Sequence, residues 1–555
     1  MKKLLLIVTI IALVFGVLPI TALALNQTQN ELNIAVDEPF YNLDIFGMTK
    51  HSSAVDNIFT MAYDRLFAFD NGNLVPDLAL SCEIQADDDD DPSSDTSSES
   101  VSFDWPELPE EWVAAECVPG LLDDTEPYND LSFLGGEGEL VLEVTLREGV
   151  RFSNGIEFTA YDVQNLISVA KQQLPDTLIY KQWEAVNYTY VTSPTSMEFH
   201  MSLPENYGYI DFMYSLATPI ASIVKLDGND VIGTGAYSIV GCDENIANLE
   251  RNENWWKGAL STSVDYVNFC YYSNSQDCLS HLQGNEVSLS IASGSINSVS
   301  SAIGSGDLTL EKQIAGNPIA LLMNKQDELL TNEFARQSIF WGIKANALIG
   351  DNLGLLGASH DYWTFDGHYR FTDDEYLDKK YEILYNNGID VSNPIPLSIL
   401  CSNNEYDKKI ANAISGQLGQ SDQLGQRCYE VGITAVNEST YNSQIATGNY
   451  QLALKEIELT EIDSAYKYFY GQSTDNMDLL LNAMKRSAKI RTFQIMQVMV
   501  QRERVNNKDL LIVGWKQKSL ISNGQIENFK ITEKYNPISM VSYIDLRGID
   551  FVTNP

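Results

Sequence analysis

Apolar and polar positions change period several times along the chain, and each change marks an element. Residues 32–35 are a short apolar run that reads as a strand. It leads into the turn-rich stretch Asp37-Glu38-Pro39-Phe40-Tyr41-Asn42-Leu43-Asp44. Val55, Ile58, Phe59, Ala62 and Leu66 then recur at helical spacing, which predicts an amphipathic helix over residues 52–66. Alternation over residues 140–146 predicts a strand, and the Thr159 hydroxyl is placed to cap a helix that follows it. Further on, strands at 397–400, 428–436 and 450–454 alternate with helices at 407–418 and 439–447. That order predicts a parallel α/β region whose binding crevice lies at the carboxyl ends of its strands.

The chain begins with Lys2 and Lys3, an apolar run over residues 4–20 and the small-x-small sequence Thr21-Ala22-Leu23-Ala24. This is the pattern of a secretory signal peptide cleaved after Ala24, and an uncleaved anchor is the alternative. The first cysteine is Cys82, so no lipoprotein cysteine follows the cleavage site. The protein is therefore expected outside the cytoplasm, as a periplasmic, secreted or cell-surface chain. Its 555 residues exceed what one core supports, so two lobes are expected.

Charge changes the picture by exclusion. A net charge of -41 repels nucleic acid and anionic lipid, so neither is a partner. Much of the excess sits in residues 83–137, which hold 18 acidic residues and no Lys or Arg. This stretch, with the run Asp87 to Asp91, reads as a peripheral, partly disordered insertion. Seven cysteines are candidates for disulfides, with Cys82–Cys117 and Cys401–Cys428 as possible pairings and an odd one left over.

Four segments resemble the extracellular solute-binding family 5, the peptide, dipeptide and nickel receptors of ABC importers. The first is Tyr63-Asp64-Arg65-Leu66-Phe67-Ala68-Phe69-Asp70 with Leu74-Val75-Pro76-Asp77-Leu78-Ala79. The second, and most specific, is Leu146-Arg147-Glu148-Gly149-Val150-Arg151-Phe152-Ser153-Asn154-Gly155 with Phe158-Thr159-Ala160-Tyr161-Asp162-Val163. The third is Gly233-Thr234-Gly235-Ala236-Tyr237 with Leu249-Glu250-Arg251-Asn252-Glu253-Asn254-Trp255-Trp256, and the fourth is the element order over 397–454. Physical chemistry assigns these residues mainly to the scaffold. Gly149, Asn154 and Gly155 suit positive-φ turns, Gly233 and Gly235 suit tight turns, and the two tryptophans suit core or rim.

The resemblance implies an α/β, two-lobed, periplasmic-binding-protein-like fold of the large, three-subdomain peptide-receptor type with two hinge crossings. The expected division is a signal peptide at 1–24, lobe I at 25–314, lobe II at 315–513 and a return to lobe I at 514–555. The implied function is capture of a peptide between the lobes and delivery to membrane permease subunits, by a monomer without a cofactor and without catalysis. The implied ligand-binding residues are Glu38, Phe40, Tyr41 and Asn42 on one side, and Glu458, Glu461 and Asp463 on the other. Peptide receptors of the family pair an aspartate with the ligand's amine just after the strand at 450–454. Here Thr460 stands at that position and Glu461 is the nearest replacement, with Glu458 next.

Other readings stay open. His360 and His368 flank Tyr362, Trp363, Phe365 and Tyr369, which suits a nickel or haem receptor of the same fold. A secreted sensor or surface protein that lost transport is a further alternative. No Gly-x-Ser-x-Gly or His-Glu-x-x-His sequence supports a hydrolase.

Overall fold

The computed structural model describes residues 30–40, 43–50, 52–70, 73–85, 140–203, 208–228, 230–258, 263–293, 308–344, 347–349, 353, 355–356, 373–421, 425–456, 510–532, 540–541 and 543–552. The leader, the acidic insertion beyond Gln85, His360, His368 and Cys117 lie outside these residues, so the readings placed on them stand as expectations.

Twelve strands form the main sheet. In chain order they are β1 (Glu31–Val36), β2 (Tyr237–Cys242), β3 (Ile246–Arg251), β4 (Tyr266–Tyr271), β5 (Leu289–Ser293), β6 (Thr309–Met323), β7 (Leu355–Leu356), β8 (Ile395–Ser402), β9 (Tyr429–Val436), β10 (Leu452–Glu456), β11 (Leu510–Ser522) and β12 (Met540–Val541). The spatial order is β2-β3-β4-β1-β5-β11-β6-β10-β8-β9, with β7 on β11 and β12 on β6. The strands before residue 294 thus occupy one end of the sheet and those of 395–456 the other. The long strands β6 and β11 run side by side between them.

Each end follows from its sequence. β1 runs parallel to both β4 and β5, and five of its six residues are buried, as a strand covered on both faces requires. Its polar Asn33 faces Asn268, whose amide donates to it at 2.9 Å, while Asn248 donates to Asn268 at 2.7 Å. At the other end β8 runs parallel to β9 and β10, the arrangement expected from the alternating pattern. Its helices are α5 (Glu405–Leu418) and α6 (Glu438–Thr447), numbered after α1 (Ser53–Ala62), α2 (Ala160–Ala170), α3 (Ser275–Gln283) and α4 (Asp373–Asn386). Lys380 of α4 is fully buried, and its ammonium donates to the carbonyls of Gln417, Leu418 and Gln420 at the C-terminus of α5. A cation there meets the negative end of the helix dipole.

A separate four-stranded antiparallel sheet has the order Ala79–Gln85, Leu140–Leu146, Ser196–Met201, Val186–Ser193. It packs α2 on one face, and α2 opens with a capping box between Thr159 and Asp162.

Several local expectations need correction. α1 stops at Ala62 rather than continuing to Leu66, because Tyr63 takes an extended backbone and the chain turns to bury Asp64. Gly149 and Gly155 have positive φ, but Asn154 does not; its side chain instead accepts from the Ile156 amide at 3.0 Å and donates to Asp227. Gly233 and Gly235 are required by close approach. A Cβ on Gly235 would stand 2.5 Å from the Met61 carbonyl, and one on Gly233 would stand 2.5 Å from that of Ala62. The Cys401–Cys428 disulfide is ruled out by register. Cys401 lies opposite Ala435 in the parallel β8–β9 pair, seven residues past Cys428, which at ~3.3 Å per residue is about 23 Å of strand. Both thiols are buried.

Candidate functional site

The carboxyl ends of β1, β8 and β10 lie where the parallel strands should open a crevice. After β1 the chain turns through Asp37, Glu38, Pro39 and Phe40 before α1 begins. Ser52 caps α1, accepting from the Val55 amide at 3.4 Å and donating to the Pro39 carbonyl at 2.9 Å. Glu38 closes the same corner. One of its oxygens accepts from the Ser53 amide at 2.8 Å, and the other lies 2.6 Å from the Lys518 ammonium on β11. Lys518 also donates to the Ser53 hydroxyl. The lysine side chain is 4% exposed and the glutamate 28%, so the pair is largely withdrawn from water. Burial pushes the Glu38 carboxyl up, but the Lys518 charge and the hydrogen bonds from Lys518 and Ser53 outweigh it and hold the group below its ordinary value.

Phe40 is buried, with the Tyr271 ring edge-on at 6.4 Å. The structure therefore brings two of the expected site residues, Glu38 and Phe40, together at the end of β1, with both engaged by the protein itself. Tyr41, Asn42, Glu458, Glu461 and Asp463 lie outside the described residues.

Pattern reading missed a second charged corner. Two residues from Lys518, Lys516 lies on the same face of β11 and donates to Glu456, the last residue of β10. Its ammonium stands 5.6 Å from the ring of Tyr406, in the first turn of α5. Burial and the nearby Glu456 charge hold Asp407 above its ordinary value, against the hydrogen bond from Asn404 and the Lys516 charge. The signal was readable: in so acidic a chain, lysines at 516 and 518 stand in a strand that opens with the apolar run 510–513. Among the described residues no group of three or more His, Cys, Asp or Glu side chains could hold a metal ion.

The sequence signatures converge elsewhere, in a knot of buried charge. Asp64 is fully buried and accepts from the Trp256 indole at 2.7 Å and the Thr234 hydroxyl at 3.2 Å, with the Arg547 guanidinium 3.5 Å away. Asp77 meets the Lys257 ammonium at 2.6 Å, and its backbone carbonyl accepts from Arg147. The Arg147 and Lys257 cations stand 5.0 and 4.8 Å from the Trp256 ring. Burial and the neighbouring Asp77 push the Asp64 carboxyl up, whereas at Asp77 the charges of Lys257, Arg547 and Arg65 overcome burial and lower it.

The model of the bacterial extracellular solute-binding proteins, family 5, matches residues 136–477, more than half of the chain. The protein belongs to that family. No curated protein sequence matches it. Solved structures do. The periplasmic murein tripeptide-binding protein MppA, in its unliganded open form, is 12% identical with a TM-score of 0.67, over 93% of this chain and 98% of that one. The oligopeptide-binding protein AppA from Bacillus subtilis, in complex with a nonapeptide, is 15% identical with a TM-score of 0.56, over 94% and 99%. NikZ from Campylobacter jejuni, in complex with Ni(L-His), is 14% identical with a TM-score of 0.61, over 90% and 95%. At these identities the likeness establishes the fold, which is the two-lobed α/β architecture of family 5 receptors. The knot around Asp64 and Asp77 is thus where this family 5 chain gathers signature residues. No helix among the described residues is long and apolar enough to cross a membrane.

Proposed function

We propose that this family 5 protein is the extracytoplasmic receptor of an ABC importer and that it captures peptides between two lobes. One lobe comprises residues 25–314 together with 514–555, and the other residues 315–513. The observation that carries the peptide reading is the run of carboxylates leaving the carboxyl end of β10. Glu456 ends the strand there, and Glu458, Glu461 and Asp463 follow in sequence. A ligand amine entering this crevice meets negative charge in a setting of reduced dielectric. MppA and AppA, by their names, bind a murein tripeptide and oligopeptides, which supports the same ligand class.

In this reading Glu38 and Phe40 hold the loop after β1 from within, and Tyr41 and Asn42 meet the ligand. Glu461 pairs with the peptide amine, with Glu458 as its reserve. Closure of the lobes over the peptide supplies the shape that permease subunits read, and the working unit is a monomer without catalytic chemistry.

The test begins with native mass spectrometry of the exported protein, which should show a co-purifying peptide. Calorimetry with a peptide and its N-acetylated form then compares the wild type with Glu461→Gln. A buried charge-assisted hydrogen bond contributes about 1.5–3 kcal/mol, so the free-amine peptide should weaken roughly tenfold or more while the acetylated one is unmoved. Equal effects on both, or none on either, remove Glu461 from the role. A wild type that binds no peptide but takes up Ni(II) with L-histidine overturns the peptide reading in favour of the nickel one, a ligand named for NikZ.

A further inference from the structure

The four-stranded sheet is covered on one face only. Along its strands every second side chain turns inward, and Leu142, Val144, Met197 and Phe199 are fully buried on the face that carries α2. The residues between them face outward, and strand register sets them in rows. Tyr188 stands opposite His200; one row on, Glu83, Glu143, Glu198 and Tyr190 lie side by side across all four strands.

Two features of this outer face point to a partner. The first is its rings, since Tyr188 and Tyr190 are 51% and 59% exposed. Tyr188 is held in place, because its ring lies flat on the His200 imidazole with centroids 4.2 Å apart and planes within 13°. His200 is steadied in turn by Glu198, 3.0 Å from its Nε2. The free side of the Tyr188 ring is thus offered to solvent in a fixed plane, with Tyr190 about 7 Å further along the strand.

The second feature is charge. Carboxylates directly opposite one another on neighbouring strands repel. Glu143 has one on each side, and none of the four strands contains Lys or Arg. The backbone edge, by contrast, is obstructed. Val186–Ser193 is the last strand of the sheet, yet Gln164 of α2 donates to its Thr189 carbonyl at 3.0 Å, and Lys171, just past α2, donates to that of Val186. A partner therefore meets the face and not the edge.

We propose that this outer face docks a basic segment of a partner protein, with lysine or arginine side chains laid over the Tyr188 and Tyr190 rings and against Glu83, Glu143 and Glu198. Rings and carboxylates select the same chemistry. A ring face attracts a cation through its quadrupole, and a row of carboxylates complements a run of positive charge. A neutral glycan would use the rings and gain nothing from three like charges, and an acidic partner would be repelled. The surface is built on a different sheet from the crevice at the carboxyl ends of β1, β8 and β10, so the proposal does not rest on the identity of the transported ligand.

Fluorescence anisotropy on the full-length protein at low salt tests the face, with an Arg-Ser repeat peptide amidated at one end and carrying the fluorophore at the other. Tyr188→Ala with Tyr190→Ala leaves the net charge unchanged and should weaken binding about tenfold, the loss expected for two cation–ring contacts. Phenylalanine at both positions keeps the rings and should keep the wild-type affinity. Glu83→Gln, Glu143→Gln and Glu198→Gln combined should weaken binding about tenfold more than Glu328→Gln, Glu430→Gln and Glu527→Gln combined, which remove the same charge from exposed positions elsewhere. Both losses, with affinity kept in the phenylalanine variant, support the docking face. An alanine pair without effect, a phenylalanine pair as weak as the alanine pair, or a glutamate set no worse than its control overturns it. A peptide drawn into the crevice instead gives that negative result, so failure here is distinct from failure of the peptide reading. A wild type that ignores the repeat and binds a neutral chito-oligosaccharide, lost in the alanine pair, overturns the basic partner in favour of a glycan.

Discussion

Two groups of charge in this protein are held in different ways. Around Asp64 and Asp77, carboxylates, cations and an indole from four distant parts of the chain are locked together, and the Asp64 and Asp77 side chains are 0% and 2% exposed. Along β11 the charges form two separate pairs, one of them half open to solvent, on the strand that links the two ends of the sheet. The first arrangement is over-determined, and of the β11 pairs only Lys518–Glu38 is withdrawn from water. In the knot, losing one partner leaves a buried charge uncompensated; at Lys516–Glu456, about a third exposed, water can replace the lost partner.

The largest effect expected is from the knot. Asp77→Ala removes the buried carboxylate whose charge faces Lys257 and the fully buried Arg65, and should cost about 3 kcal/mol in a urea titration, as breaking a buried ion pair does. A loss below ~1 kcal/mol would show that the knot is no more tightly built than a surface pair. Next comes Gly235→Ala, which forces a methyl group against the Met61 and Ala62 backbone and should cost about 2 kcal/mol by overpacking. A neutral outcome would mean that α1 can shift away, against the buried packing of its C-terminal turn.

The two aspartates of the knot should also separate from one another. Asp64 is pushed up and Asp77 held down, so the fold disfavours charge on the first and favours it on the second. Asp64→Asn should thus be milder at neutral pH than Asp77→Asn. The reverse order in thermal unfolding would invert the assignment of charge within the knot.

The smallest effects belong to the β11 pairs. Lys516→Met removes a half-exposed pair and should change unfolding stability by only about 0.5 kcal/mol. A loss comparable with that of Asp77→Ala would erase the contrast between the regions. Glu38 supplies a pH signature. Its folded pKa is lowered from 4.5, so its stabilising contribution is complete above that value and disappears as pH falls through the lower, folded one. Urea midpoints measured downward from pH 6 should fall less steeply in Glu38→Gln than in the wild type. Parallel curves would place Glu38 outside the ion pair.

Local pattern was enough for much of the architecture. The alternation that marked 140–146 corresponds to the strand Leu140–Leu146, and the strand–helix succession from 397 to 454 corresponds to β8, α5, β9, α6 and β10 with parallel pairing. These elements were legible because burying one face imposes a period on the residues that form it. Helix ends were less legible. α1 ends four residues early because Asp64 is drawn into a cluster that includes Thr234, Trp256 and Arg547, 170 or more residues away, and no local period carries that information.

By itself, the sequence determined the fold class and the family, since periodicity and short signatures are properties of contiguous residues. It also determined the sign of the net charge. Only the tertiary structure decided what the signatures do. It gathered Asp64, Asp77, Arg147, Thr234 and Trp256 into one buried knot, and it spent Glu38 on Lys518. It also separated Cys401 from Cys428 by strand register. Each outcome turns on which distant groups share a desolvated space, and a burial cost that is repaid only by a partner elsewhere in the chain leaves no periodic trace in the sequence.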